Sequence, residues 1–142
     1  MIPTVDNCAF LLAKKRNFQP AWVHLFETNI RDFVGEVPMT DSVQVTSWPD
    51  GHPPSRDELW RTMVDEGLNP YAWSNGPHDI YAPHTHNYDK VIYVVSGSIT
   101  FGLPDLQRNV TLFPGDRLDL PSGTAHDAMV GSEGVVCLEG HC

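Results

Sequence analysis

From Tyr71 onward, short apolar runs alternate with glycine and proline along the chain. The runs are Val91-Ile92-Tyr93-Val94-Val95, Ser98-Ile99-Thr100-Phe101, Val110-Thr111-Leu112-Phe113 and Val135-Val136-Cys137-Leu138. Short segments rich in β-branched and aromatic residues, broken at close spacing by turn residues, predict the strands of an all-β barrel or sandwich. The pattern upstream is less regular. Residues 21–26 and 42–48 alternate well enough to be strands, whereas residues 29–41 contain Gly35 and Pro38 and read as loop. Pro49, Asp50, Gly51, Pro53 and Pro54 mark a turn. Ser55 with Glu58 three residues later forms a capping box ahead of Leu59, Met63 and Val64, which predicts a helix over residues 56–66. Gly67 then caps the helix in the left-handed conformation that glycine adopts without steric cost. The helix is expected on the outside of the barrel. Residues 1–55 are read as N-terminal strands and loops packing on the barrel, and residues 56–142 as the helix and the barrel, one structural domain overall.

Length and composition agree with a globular chain. At 142 residues it is about one average domain, and 41% hydrophobic with 19% charged residues is not the balance of a disordered chain. No stretch reaches the roughly 18 consecutive apolar residues of a membrane helix. Nine basic against 18 acidic residues give a formal charge of −9, which repels phosphate backbones and anionic membranes. Neither nucleic acid nor membrane is therefore expected as a partner. The N-terminus lacks a basic leader region, and Phe10-Leu11-Leu12-Ala13 is short for a signal peptide, so a cytoplasmic location is expected. Cys8, Cys137 and Cys142 include no C-x-x-C pair and suggest neither a disulfide framework nor a zinc knuckle. Cys137, inside an apolar run, reads as a small buried hydrophobe.

The candidate chemistry begins at His84-Thr85-His86, where two imidazoles two residues apart project from one face of a regular strand. Alone, this is a weak signal. Three residues separate His86 from Lys90 and six separate Lys90 from Gly97; further on, Gly115, Pro121, Gly123 and His126 follow with five, one and two residues between them. This order resembles the cupin superfamily, whose motifs run G-x5-H-x-H-x3-4-E-x6-G and G-x5-P-x-G-x2-H-x3-N. The resemblance covers roughly residues 83–130 and does not extend with any specificity to residues 1–70. It implies a double-stranded β-helix (jelly-roll) barrel, here with one short helix and additional N-terminal strands. It also implies a divalent transition metal ion held inside by His84, His86 and His126. Three neutral imidazoles suit Fe, Zn, Ni, Cu or Mn without selecting among them.

Three positions depart from the motifs: the glutamate is Lys90, the last asparagine is Val130, and Gly76 lies two residues too far from His84. Lys90 admits two accounts. Either three histidines and water hold the metal while Lys90 reaches toward a carboxylate or an anionic substrate, or the site is degenerate and holds no metal. The first is favoured because all three histidines remain. Asp89, of opposite parity, is a poor ligand; Glu139 supplies a carboxylate to the cavity, pairs with Lys90, or is a solvated strand end, the last being favoured, and its facing is open because both parities of its strand are apolar. Tyr71, Trp73 and Tyr81 either line the barrel mouth or pack in the core. His24, His52, His78 and His141 are expected in surface or loop roles. No dinucleotide fingerprint, P-loop or nucleophile elbow is present.

The resulting expectation is a metal-dependent enzyme of dioxygenase, isomerase or lyase type acting on a small anionic organic molecule, with Lys90 as anion holder or acid–base group. The alternative is a non-catalytic small-molecule binding or sensing protein. A homodimer is expected, because both faces of residues 91–95 are apolar and the outer one needs cover, although the N-terminal segment can supply it instead.

Overall fold

The computed structural model describes residues 43–142, all within one compact unit, Ser42–Cys142. The strand expected over residues 21–26 and the loop over 29–41 lie outside the described residues. In chain order the elements are β1 (Gln44–Thr46), α1 (Arg56–Asp65), β2 (Tyr71–Asn75), β3 (Ile80–His84), β4 (Lys90–Leu103), a 3-10 turn (Pro104–Leu106), β5 (Arg108–Leu112), β6 (Arg117–Leu120) and β7 (His126–His141).

Every strand pair is antiparallel, and two long strands organise the rest. The first half of β4 pairs with β6 and with the second half of β7; the second half of β4 pairs with β5 and with the first half of β7. β7 likewise carries β3 on its first half and β2 on its second, while β1 extends the sheet beyond β6. Two strands that each serve two sheets make a double-stranded β-helix, the jelly-roll architecture expected from the sequence.

The sequence reading treated the runs before and after Gly97 as separate strands, but they form one bent strand. The bend lies where Gly97 meets Gly134. Both have positive φ, +75° and +77°, and a Cβ on Gly97 would sit 2.0 Å from the Gly134 carbonyl oxygen. The ladder register shifts on either side, between Val94 and Ser96 and between Gly97 and Ile99. Glycine here turns the strand from one sheet into the other without ending it.

Inward-facing Ile92, Val94, Ile99, Phe101, Leu112, Leu118, Val130 and Cys137 form the core. α1 begins at the capping box: Ser55 Oγ accepts from the Glu58 N–H, and the Glu58 carboxylate accepts from the Ser55 N–H. It ends before Gly67 at φ +81°. Its Leu59 and Met63 are fully buried, each worth about 1.5–3 kcal/mol of apolar burial, and they face β4 and β7. A Cβ on Gly140 would touch both Met63 and Leu68 at close range, so the helix lies directly on the outward face. Val91 and Tyr93, whose outward positions were the argument for a dimer, are thus buried within the chain itself. The end of α1 is fastened by Arg117, which donates to both carboxylate oxygens of Glu66 at 2.7 Å, to the Tyr93 hydroxyl at 3.1 Å, and bidentately to Asp119.

Cys137 is a free buried thiol, as expected, with its pKa pushed up by burial. Cys142, in contrast, is disulfide-bonded, which the sequence did not suggest. Among the described residues no helix is long and apolar enough to cross a membrane.

Candidate metal centre

Cross-strand register brings His84, the last residue of β3, directly opposite His126, the first of β7. His86 is not on a strand. It lies in the loop between β3 and β4, so the strand-parity argument that placed it beside His84, and that placed Lys90 and Asp89 relative to it, does not apply. The loop is held by the second motif instead. Gly123 donates its N–H to the His86 carbonyl at 2.7 Å, and Ser122 donates its N–H to the Asp89 carboxylate at 2.7 Å. The Pro121-Ser122-Gly123 turn, with Gly123 at φ +78°, thereby couples the two motif segments. The Asp89 carboxylate secures this turn.

One ring nitrogen of each of His84, His86 and His126 lies within 4.8 Å of the others. His84 Nδ1 donates to the Ala82 carbonyl at 2.6 Å, and His126 Nδ1 to the Thr124 carbonyl at 2.8 Å. A carbonyl only accepts, so both rings carry a proton on Nδ1, and in the neutral form the lone pair is then on Nε2. His86 agrees: the Lys90 ammonium donates to its Nε2 at 3.2 Å, and the Tyr88 hydroxyl lies 3.1 Å from its Nδ1. Burial holds the pKa of His86 and of His126 below the ordinary 6.5, and the Lys90 charge acts in the same direction. Neutral imidazoles of one tautomer, with Nδ1 anchored and Nε2 convergent, are the donor set that a first-row divalent ion requires. The residues present therefore fit such an ion.

Lys90 is neither solvated nor unpaired. Its Nζ lies 3.1 Å from Glu139 Oε1, with both side chains nearly buried, so the carboxylate supplies the compensation that a buried ammonium requires. Reading Glu139 as a solvated strand end is corrected by the structure, in which the residue is 4% exposed. The face of β7 that carries Cys137, Glu139 and His141 turns inward, and the one that carries Leu138 and Gly140 meets α1. Four donors surround Glu139: the Tyr71 hydroxyl and Trp73 Nε1, both at 2.8 Å, Lys90 Nζ, and His141 Nε2 at 2.5 Å. Burial alone would raise its pKa, but these partners hold it below the usual carboxylate value. Burial and the Glu139 carboxylate push the Tyr71 phenol up.

Sequence reasoning gave His141 a surface or loop role, yet it is the last residue of β7, hydrogen-bonded to Glu139 and stacked on Tyr88 with ring centroids 4.1 Å apart. Tyr88 stacks on His86 with its other face. Tyr88 was passed over in the sequence, and only its position two residues after His86 pointed to it. Tyr71, Trp73 and Tyr81 line the cavity together with His84, His86, His126, Lys90 and Glu139; Ile92, Ile99, Phe101 and Ala128 complete the lining around about 340 Å³. His52 is exposed, and His78 sits at φ +63° in the turn before β3; His24 lies outside the described residues.

No protein-family model and no curated protein matches the chain. Among solved structures it is similar to a cupin-2 domain containing protein from Shewanella frigidimarina, at 22% identity, 49% of this chain, 66% of that one and a TM-score of 0.43. It is also similar to the polyketide cyclase RemF from Streptomyces resistomycificus, at 26% identity, 56% of this chain, 59% of that one and a TM-score of 0.47. A structure of the DMSP lyases RdDddP and RnDddQII is similar at 27% identity, 52% of this chain, 37% of that one and a TM-score of 0.46. The chain thus spans less than two thirds of the length of each of these proteins. Its own strand topology, with both motif segments meeting at one cavity, is a double-stranded β-helix.

Proposed function

We propose that this is a metal-binding cupin that holds one divalent transition ion on His84, His86 and His126 and acts as a metal-dependent enzyme, of dioxygenase, isomerase or lyase type, on a small anionic organic molecule. One observation carries the reading: three imidazoles, each with a proton on Nδ1, bring ligating nitrogens within 4.8 Å at the wall of one cavity. When bound, such an ion supplies a Lewis-acidic centre for a carbonyl or carboxylate oxygen. Because Lys90 and Glu139 cancel each other, the cavity's net positive charge comes from the ion and not from the lysine. Lys90 donates to Glu139, and its other donors, including the one that an ion on His86 would displace, are available to a ligand oxygen. In this role Lys90 orients the anion and can give it a proton, Glu139 holds the ammonium in place, and Tyr71, Trp73 and His141 hold Glu139. The reading includes a homodimer and a cytoplasmic location. The exposed cross-strand pair Ile80 and Met129 supports a second copy, which sedimentation velocity checks.

Elemental analysis of protein purified without a histidine tag or added metal tests the centre. About one ion per chain is expected, and His86→Ala should lose it with an unchanged far-UV circular dichroism spectrum, since a core of this size does not depend on a metal to fold. A wild-type protein that neither carries nor takes up a divalent ion overturns the proposal. One contact favours a second reading, a binding or sensing protein without metal: the Lys90 ammonium donates into the same His86 lone pair that an ion needs. The same metal analysis separates the two.

A further inference from the structure

The lining of the cavity has an unusual division of polar and apolar surface. Tyr71 and Trp73 commit their polar atoms to Glu139, Tyr81 commits its hydroxyl to Asn75 Oδ1 at 2.5 Å, and the Tyr88 hydroxyl is engaged by His86. Lys90 and Glu139 are paired. Each charge and each aromatic polar tip thus has a protein partner, and what these side chains offer a ligand is ring carbon. The polar exception is confined to one end, where the histidine nitrogens lie beside the remaining Lys90 N–H and the O–H of Tyr88, whose oxygen accepts from His86. Trp73 and Tyr81 meet at 68° with centroids 6.3 Å apart, a corner of one ring face and one ring edge. Both faces of Tyr88 are covered by His86 and His141, so this ring closes the side without offering a stacking surface.

From this division we infer that the cavity selects a flat, ring-sized, aromatic or conjugated carbon skeleton with a single anionic oxygen head group. The head group lies at the histidine end, and the ring sits in the Trp73–Tyr81 corner. A cavity of about 340 Å³ is at the small end for ligand sites, which suits one ring system and not an extended chain. A ligand with polar groups along its length, such as a sugar or a polyhydroxy acid, would lose hydration against ring carbon and gain no hydrogen bonds in return. A flat ring gains edge and face contacts in the corner. This inference deepens the proposed function and rests on it for the identity of the head-group pole.

Calorimetric titration of the zinc-loaded and the chelator-treated protein with benzoate, cyclohexanecarboxylate and acetate tests it. The first two have the same carbon count and head group and differ in planarity, and acetate reports the head group alone. Zinc-loaded protein is expected to bind benzoate about fivefold or more tighter than cyclohexanecarboxylate, and about tenfold or more tighter than acetate. Tyr81→Leu, which removes a ring at the exposed rim, should abolish the preference for the planar acid, and Tyr81→Phe should keep it. Equal affinities for the two ring acids, no binding of either, or a preference unchanged in Tyr81→Leu overturns the inference. Acetate that binds only with zinc present leaves the metal centre standing whatever the ring preference. Benzoate bound equally with and without zinc removes the ion as the head-group partner, and with it the assignment of the pole.

Discussion

Lys90 stands where the cupin motif has its glutamate, and it has a partner on each side: His86 Nε2 at 3.2 Å and Glu139 Oε1 at 3.1 Å. An ion that takes the His86 lone pair must displace the ammonium from it, so Lys90 competes with metal. Lys90→Met is therefore expected to raise metal affinity, read by competition with a chelator. It should also lower stability by about 1–3 kcal/mol, because Glu139 loses the Lys90 ammonium but keeps its other three donors. An affinity equal to wild type would separate Lys90 from the metal. Lys90→Glu is the less direct probe, since it sets a second carboxylate against Glu139 and raises the pKa of one of them. At this scale the sequence identified His84, His86, His126 and Lys90 as one group. His141 was missed, and Glu139 was left open between the cavity and a solvated strand end, because both parities of their strand are apolar, one for the cavity and one for α1, so alternation carried no direction.

The bend shared by β4 and β7 places the site, since it brings the first half of β7, with His126, onto β3 and the second half, with Glu139, onto β2. Gly97→Ala puts a Cβ against a backbone oxygen at positive φ, where neither strand can yield without breaking the ladder. A loss of about 3 kcal/mol or more is expected. Gly123→Ala has the same sign of φ but open space around its Cβ and is expected to cost only about 1–2 kcal/mol. Urea denaturation of both variants makes the comparison; equal losses would mean that strain alone, and not the close approach of the two strands, explains Gly97. The capping box of α1 and its glycine stop were legible in the sequence because they are local. The continuity of β4 through Gly97 was not, because a glycine that bends a strand and one that ends it look alike until the opposing glycine is known.

For the whole metal-free protein, stability should be greatest between about pH 7 and 9. Burial, with Lys90's charge, holds His86 and His126 below 6.5, and the partners of Glu139 hold it below 4.5 against the effect of burial. The unfolded chain regains the ordinary values and binds more protons, so stability present above pH 6.5 is lost as pH falls through the folded-state values. Cys137 and Tyr71 are shifted upward by burial from 9.0 and 10.0, so their contribution is present below those values and is lost as pH rises through the folded ones. The urea midpoint should therefore decline on both sides of that window, and a midpoint that rises below pH 6 would contradict the neutral, buried state of the histidines.

The sequence by itself determined the all-β class, the helix with its cap and stop, and the grouping of His84, His86 and His126. These follow from local propensity, turn chemistry and the spacing of residues whose type already dictates their chemistry. Only the tertiary structure decided what surrounds the trio: that Lys90 is neutralised by a carboxylate 49 positions away, that the His86 loop is tied by the second motif's turn, and that the aromatic tips turn inward to protein partners. Those contacts join residues far apart in the chain through strand register. Register is set by the fold as a whole, and a single strand's pattern does not reveal it when both of its faces are buried.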